Sequence, residues 1–345
     1  KKKIIFDEQY YENKKIKVSI SYKKYGTFFI NLYNEDLILT DFSGSIYKIK
    51  KISNVINDKN NDITPKNLKS DLATDRVFDS LIFKDKIYIS NSIKKDNCTI
   101  IKVDFAKLNT SGLNFENLFN SKDCSNLGSV GKMQVYKHRN KIGLLLSTAE
   151  GGYDKPGGNI QNNNSILGKI LFIPFDGSEH LIFSKGHRVI QGLYADKNNI
   201  IATEHGPRGG DEINKIMELG NYGWPIVSLG EKYNFNYENK EISYLKDHKK
   251  NGFNEPIFSF IQGIGISEII KLPKSFSDFY ENHFLIGSLN GRSLYIVKFN
   301  NTLEKVLSIE QIFINNRIRD IKYIEKSNVI LLALEEKGEL GFIKR

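Results

Sequence analysis

Apolar residues recur along this chain in short runs, often at every second position, and tight polar turns separate them. Alternation of that kind marks half-buried strands, and few segments carry a helical period. Three strands in succession are predicted at 28–33, 36–40 and 44–51. Further triplets fall at 77–83, 86–90 and 99–103; at 133–136, 142–147 and 168–173; and at 189–194, 199–204 and 212–218. A fifth reads 256–261, 283–287 and 293–299, and a sixth 317–323, 329–334 and 340–344. The turns ahead of the middle strands, such as Asn34-Glu35-Asp36, Asn140-Lys141 and Ser327-Asn328, recur at roughly 50 residues, a spacing typical of blade repeats.

Six such units of three or four antiparallel strands spell an all-β, six-bladed β-propeller in a single domain. The blades are expected near 24–52, 75–105, 130–174, 188–225, 255–300 and 312–345, with a polar loop insertion at 229–255. Two β-sandwiches are the competing architecture, but no Pro/Ser/Gly-rich linker divides the chain. A propeller has to close, because an open end leaves an unpaired edge. Segments 3–6 and 15–22 are candidates for the outer strand of the last blade.

Composition narrows the picture a little. Hydrophobic residues make up 40% of the 345, enough for a large core, and 17 tyrosines and 22 phenylalanines favour strands. No apolar run approaches the ~18 residues of a membrane span. The net charge is +10, but the lysines are spread along the chain without a nucleic-acid-binding motif, so no specific nucleic-acid partner is expected. The opening Lys-Lys-Lys without a methionine reads as a start behind a removed segment or tag. Cys98 and Cys124 are two thiols or one disulfide, depending on the compartment.

The chemistry concentrates at 204–225, Glu-His-Gly-Pro-Arg-Gly-Gly-Asp-Glu-Ile-Asn followed after five residues by Gly-Asn-Tyr-Gly-Trp-Pro. This stretch holds five of 27 glycines, two of seven prolines and the only tryptophan, a density that fixes special backbone angles and exposes carbonyls. Asp211, Glu212, Asn214 and Tyr222 add oxygen donors suited to a hard cation. The order of residues resembles the signature of the soluble quinoprotein sugar dehydrogenases, the glucose/sorbosone dehydrogenase family. Gly186-His187-Arg188 with Gln191-Gly192-Leu193, the run from Gln161 to Ile170, and Arg317-Ile318-Arg319-Asp320 are similar to three further motifs of that family, in its order.

The resemblance implies a pyrroloquinoline quinone (PQQ) at one end of the propeller, with calcium held by the main-chain carbonyls of Gly206 and Pro207. Asp211, Glu212 and Tyr222 match a second calcium site. His205, Arg317 and Arg319 would face or pair with the cofactor, as would Asn290, which stands where the family has a lysine. The implied substrate is a sugar oxidised at its anomeric carbon, and the implied location is periplasmic or extracellular. Two departures cut the other way. The family's general-base histidine aligns near Gly128 and Ser129, and no histidine occurs from 123 to 133. The glutamine expected before the second blade is not evident at 73–79. A catalytically silent propeller of the same lineage, binding a glycan, an anionic ligand or a protein, is therefore the alternative expectation. A purely structural propeller is a third. Neither the sugar nor the oligomeric state is legible.

Overall fold

The computed structural model describes residues 2–6, 9–18, 26–57, 62–96, 98–108, 111–123, 131–150, 159–232, 244–280 and 282–344. Two N-terminal strands, β1 (Lys2–Phe6) and β2 (Gln9–Val18), pair as a hairpin. The first blade is β3 (Phe28–Tyr33), β4 (Asp36–Asp41), β5 (Ile46–Ile49) and, beyond the short helix α1 (Ile52–Asn57) and β6 (Asp62–Ile63), β7 (Lys66–Asn67). The second runs β8 (Arg76–Phe83), β9 (Lys86–Lys95), β10 (Cys98–Lys107), β11 (Glu116–Asn120). The third runs β12 (Met133–His138), β13 (Lys141–Ser147), β14 (Lys169–Pro174), β15 (Leu181–Lys185). In the fourth lie β16 (Ile190–Ala195), β17 (Ile200–Glu204), β18 (Asp211–Lys215) and β19 (Phe258–Phe260). The fifth contains β20 (Ile266–Lys271), β21 (His283–Ser288), β22 (Ser293–Phe299) and β23 (Val306–Phe313). The sixth begins β24 (Ile318–Ile324), β25 (Val329–Leu334), β26 (Glu339–Lys344), and its outer positions are taken by β2 and then β1. The chain is an all-β, six-bladed β-propeller.

Closure joins the two ends of the sequence. β2 runs antiparallel to β26, from Glu12 opposite Lys344 to Lys17 opposite Glu339. Without this hairpin β26 would carry an open row of backbone donors and acceptors. Near the axis, Asp320 of blade six accepts the Ile30 N–H of blade one at 2.7 Å, and Asn31 of blade one donates to Ser80 Oγ of blade two at 2.7 Å. Apolar clusters fill the spaces between adjacent sheets; Ile30, Leu39, Leu331 and Leu340 are fully buried in the one that joins the last blade to the first. Each such side chain contributes about 1.5–3 kcal/mol when fully buried.

The tight turns between inner and second strands need a left-handed residue, and polar ones supply it: φ is 57° at Asn34 and 48° at Asn328. One strand departs from the expected order. Residues 256–261, read above as the opening of blade five, contribute β19, which pairs with β18 and completes blade four. The insertion between the two delays β19 until spacing alone assigns it to the next unit. Cys98 is disulfide-bonded, and Cys124 lies outside the described residues. No helix among the described residues is long and apolar enough to cross a membrane.

Candidate functional site

All six inner strands start at the same end of the axis, and four of them carry a register shift just inside that end. The shifts fall between Val77 and Asp79 in β8, Ile190 and Gly192 in β16, Ile266 and Ile269 in β20, and Ile318 and Asp320 in β24. A β-bulge re-aims a side chain that would otherwise follow the pleat. Two of the re-aimed residues meet at the mouth of the channel: Arg319 Nη1 donates to Gln191 Oε1 at 3.0 Å. The same guanidinium grips Glu335, with Nε 2.9 Å and Nη2 2.8 Å from Oε2. Arg317 lies further out, 4.0 Å from Glu335 Oε1.

The loop between β17 and β18 forms the next part of the mouth. Gly206 is there because a side chain would not fit: an added Cβ would lie 2.0 Å from Gly209 O and 2.5 Å from Gly210 O. Asp211 fastens this loop rather than facing outward. Its Oδ1 accepts the Gly206 N–H and its Oδ2 the Ile266 N–H, each at 3.0 Å. His205 is fixed by its own donation from Nε2 to Ile266 O at 2.7 Å, so the neutral ring keeps Nδ1 as an acceptor. Burial pulls its pKa down to about 4; Asp211 opposes the shift, and the Arg188 and Arg319 charges add to it. Arg188 Nη1 donates to Gly206 O at 3.0 Å, and the guanidinium also approaches Glu150 at 3.4 Å and lies 5.4 Å from the Trp224 ring centroid.

Beneath the loop sits a small cavity of about 10 Å³, the room of a single water. Gly206, Pro207, Glu204, Glu212, Tyr222 and His248 are among the residues that line it. Glu204 is already engaged, accepting from His187 Nδ1 at 3.1 Å and from the Arg188 N–H. Glu212 has no lysine or arginine within ion-pair distance among the described residues; His248 Nε2 is 3.9 Å away. Burial, reinforced by Glu204, pushes its carboxyl up to about 8. The Tyr222 hydroxyl is committed to the main chain, donating to Lys215 O at 2.5 Å and accepting the Met217 N–H at 3.0 Å. Among the described residues no three His, Cys, Asp or Glu side chains converge as a metal centre, so a cation here would rely on main-chain oxygens beside one or two carboxylates.

Of the residues singled out from sequence, the structure thus brings together His205, Gly206, Pro207, Glu212 and Tyr222, with Arg319 across the mouth. Asn290 is exposed on the rim, its Nδ2 3.5 Å from Gly263 O. Gly128 and Ser129 lie outside the described residues. Sequence reasoning passed over Glu335, Gln191, Arg188 and Arg76. The last two strands' polar ends gave no signal for Glu335, but Arg188 and Gln191 stood inside a quoted motif.

Comparison with known proteins settles the lineage. The glucose/sorbosone dehydrogenase profile matches residues 29–342. The chain belongs to that family. It is 30% identical over 178 residues to the aldose sugar dehydrogenase YliI of Escherichia coli, covering 49% of this chain and 45% of that one. It is 34% identical over 112 residues to quinoprotein glucose dehydrogenase B of Acinetobacter calcoaceticus, covering 27% and 23%. The chain thus aligns with less than half the length of these curated relatives. The fold is similar to the apo form of the soluble aldose sugar dehydrogenase of Escherichia coli, with a TM-score of 0.69 at 19% identity over 92% of this chain and 94% of that one. It is also similar to the PQQ-bound aldose sugar dehydrogenase of Streptomyces coelicolor, with a TM-score of 0.66 at 16% identity over 96% and 98%.

Proposed function

We propose that this family member is a quinoprotein of the aldose sugar dehydrogenase type, acting on a sugar at its anomeric carbon with PQQ and calcium. The observation that carries this reading is the convergence of Arg319, Gln191, Arg188 and His205 around the Gly206–Pro207 loop at one end of the axis. When bound, PQQ supplies a hydride-accepting quinone and calcium a Lewis acid beside it. Arg319 and Arg317 would hold an acidic cofactor through charge-assisted hydrogen bonds. Arg319 is pre-oriented for this by Glu335 and Gln191. The donor set fits a hard cation on the Glu212 side of the small cavity, where a carboxyl that accepts from Asn214 Nδ2 at 3.2 Å and faces no lysine or arginine among the described residues meets the carbonyl-bearing loop. His205 would remain neutral and offer Nδ1 as a hydrogen-bond acceptor. An exported location follows from the resemblance and agrees with the disulfide-bonded Cys98.

A specific observation favours a second reading, a silent propeller that binds a sugar or glycan without oxidising it. No histidine occurs at 123–133, and the Lys132 ammonium is turned inward to Asp79 and Glu268. Loss of a general base costs ~10²–10⁴ in rate. The deciding experiment is reconstitution with PQQ and calcium, followed by dye reduction across a panel of aldoses. Turnover supports the dehydrogenase; sugar binding without turnover on any aldose supports the silent propeller.

A further inference from the structure

Arg76 begins β8 at the mouth, and among the described residues no carboxylate pairs with its charge. Its guanidinium carbon lies 4.8 Å from the Phe42 ring centroid and 5.2 Å from that of Phe78. Ring contacts occupy the π-face of a guanidinium and leave its edge N–H donors unused. Among the described residues, no carboxylate or other acceptor takes those donors. Asp75, next in the chain, spends its Oδ2 on the Lys94 N–H at 2.6 Å. Glu335, the acid nearest in effect, is held by Arg319. Burial, and then the like charge of Arg319, lowers the Arg76 pKa.

The guanidinium is exposed, so its unpaired donors are open to a ligand beside the Arg319 charge. Five fixed donors in a fork match a carboxylate in bidentate fashion. We propose that Arg76 is an anion-binding residue of the mouth and that the ligand bound there presents a carboxylate to it. The inference rests on reading the mouth as a ligand site. Where the resemblance calls for a lysine in blade five, this chain has Asn290, and Arg76 brings a positive charge to the mouth from blade two. The carboxylate belongs either to the cofactor or to an acidic sugar such as a uronic acid.

The test is equilibrium binding to the purified protein, wild type against Arg76→Gln, with Arg76→Lys as the charge-retaining control. Arg76 is exposed overall, so the variant should fold, which circular dichroism checks. PQQ is followed by absorbance, and glucuronate and glucose by calorimetry with and without PQQ. A cofactor carboxylate predicts PQQ affinity weaker by roughly 10- to 100-fold in Arg76→Gln, with only partial recovery in Arg76→Lys. A substrate carboxylate predicts unchanged PQQ binding, a loss of that size for glucuronate, and no change for glucose. The inference is overturned if wild type binds neither PQQ nor glucuronate, or if Arg76→Gln binds both as wild type does. Binding that depends on Arg76 but yields no dye reduction with any aldose would leave the inference standing and remove the dehydrogenase reading.

Discussion

Lys132 reaches across the propeller axis to Glu268, with Nζ 2.5 Å from Oε2, while also standing 3.0 Å from Asp79 Oδ1. It thereby ties blade three to blades two and five. Asp79 further accepts the Met133 N–H at 2.9 Å, and Asp320 stands near Lys322 at 3.6 Å. The cluster has three carboxylates (Asp79, Glu268, Asp320) against two ammonium groups (Lys132, Lys322). All but Lys322 are buried. Such a pairing is weak evidence of net stabilisation, but removing one partner leaves charges stranded. Replacing Lys132 with Met should lower the unfolding free energy by about 3–5 kcal/mol in urea titrations. Glu268→Gln should cost clearly less, because it leaves two carboxylates facing two lysines. Equal losses would mean that packing, not charge, sets the cost.

The same accounting gives a pH dependence at Glu212. Its folded-state carboxyl is raised from 4.5 to about 8, so the folded protein binds a proton that the unfolded chain has released. The stabilisation is fully present below the ordinary carboxylate range and is lost as pH rises towards 8. Burial raises Asp79 and Glu268 too, and they add to the slope with the same sign. In the presence of a chelator, the melting temperature of the wild type should fall between about pH 5 and about pH 8.5 by more than that of Glu212→Gln. Parallel curves would place the raised carboxyl elsewhere.

The blades were legible because alternation and turn chemistry are local. Asn34 and Asn328 announce their left-handed turns in the sequence itself, and the apolar face of β25 is written in Val329–Leu334. β19 was misplaced because its partner β18 lies across a long insertion, and pairing partners are not written in spacing. In the site, glycine and proline density marked the β17–β18 loop, since only glycine fits at 206. The roles of its neighbours were less legible. Asp211 looks like a cation ligand by residue type, yet both of its oxygens are consumed by backbone N–H groups, one of them from Ile266, 55 residues away. Arg319 meets Gln191 across 128 residues only because both inner strands are bulged at matching positions. A charged residue inside an otherwise apolar inner strand, as in Phe78-Asp79-Ser80 or Ser267-Glu268-Ile269, was the available signal for the axial cluster.

Asp211 should behave as a fastener of the loop. Asp211→Ala strands the Gly206 and Ile266 N–H groups, each costing about 1–3 kcal/mol if left unpaired and buried. The expected result is a loss of at least ~2 kcal/mol, with amide exchange accelerating first at 205–210 and 265–267. Asp211→Asn keeps one acceptor and should fall between the two. If exchange rises uniformly over the propeller, the residue stabilises the fold at large and does not fasten this loop.

Gly206 offers the sharpest separation of site from fold. In Gly206→Ala the new methyl would meet main-chain oxygens of Gly209 and Gly210, which cannot swing aside as a side-chain tip could. The loop must shift, taking with it the carbonyl that receives Arg188 and the histidine bonded to Ile266 O. Overpacking of this kind costs about 1–3 kcal/mol. A propeller core of six interlocked sheets should survive that loss, so the far-ultraviolet spectrum should remain native while PQQ binding falls by roughly tenfold or more. Gly112→Ala is the control, since its added Cβ would lie an ordinary 3.6 Å from Lys69 O and the glycine is far from the mouth in the chain. Unchanged PQQ affinity in Gly206→Ala would mean that the loop carbonyls take no part in holding the cofactor.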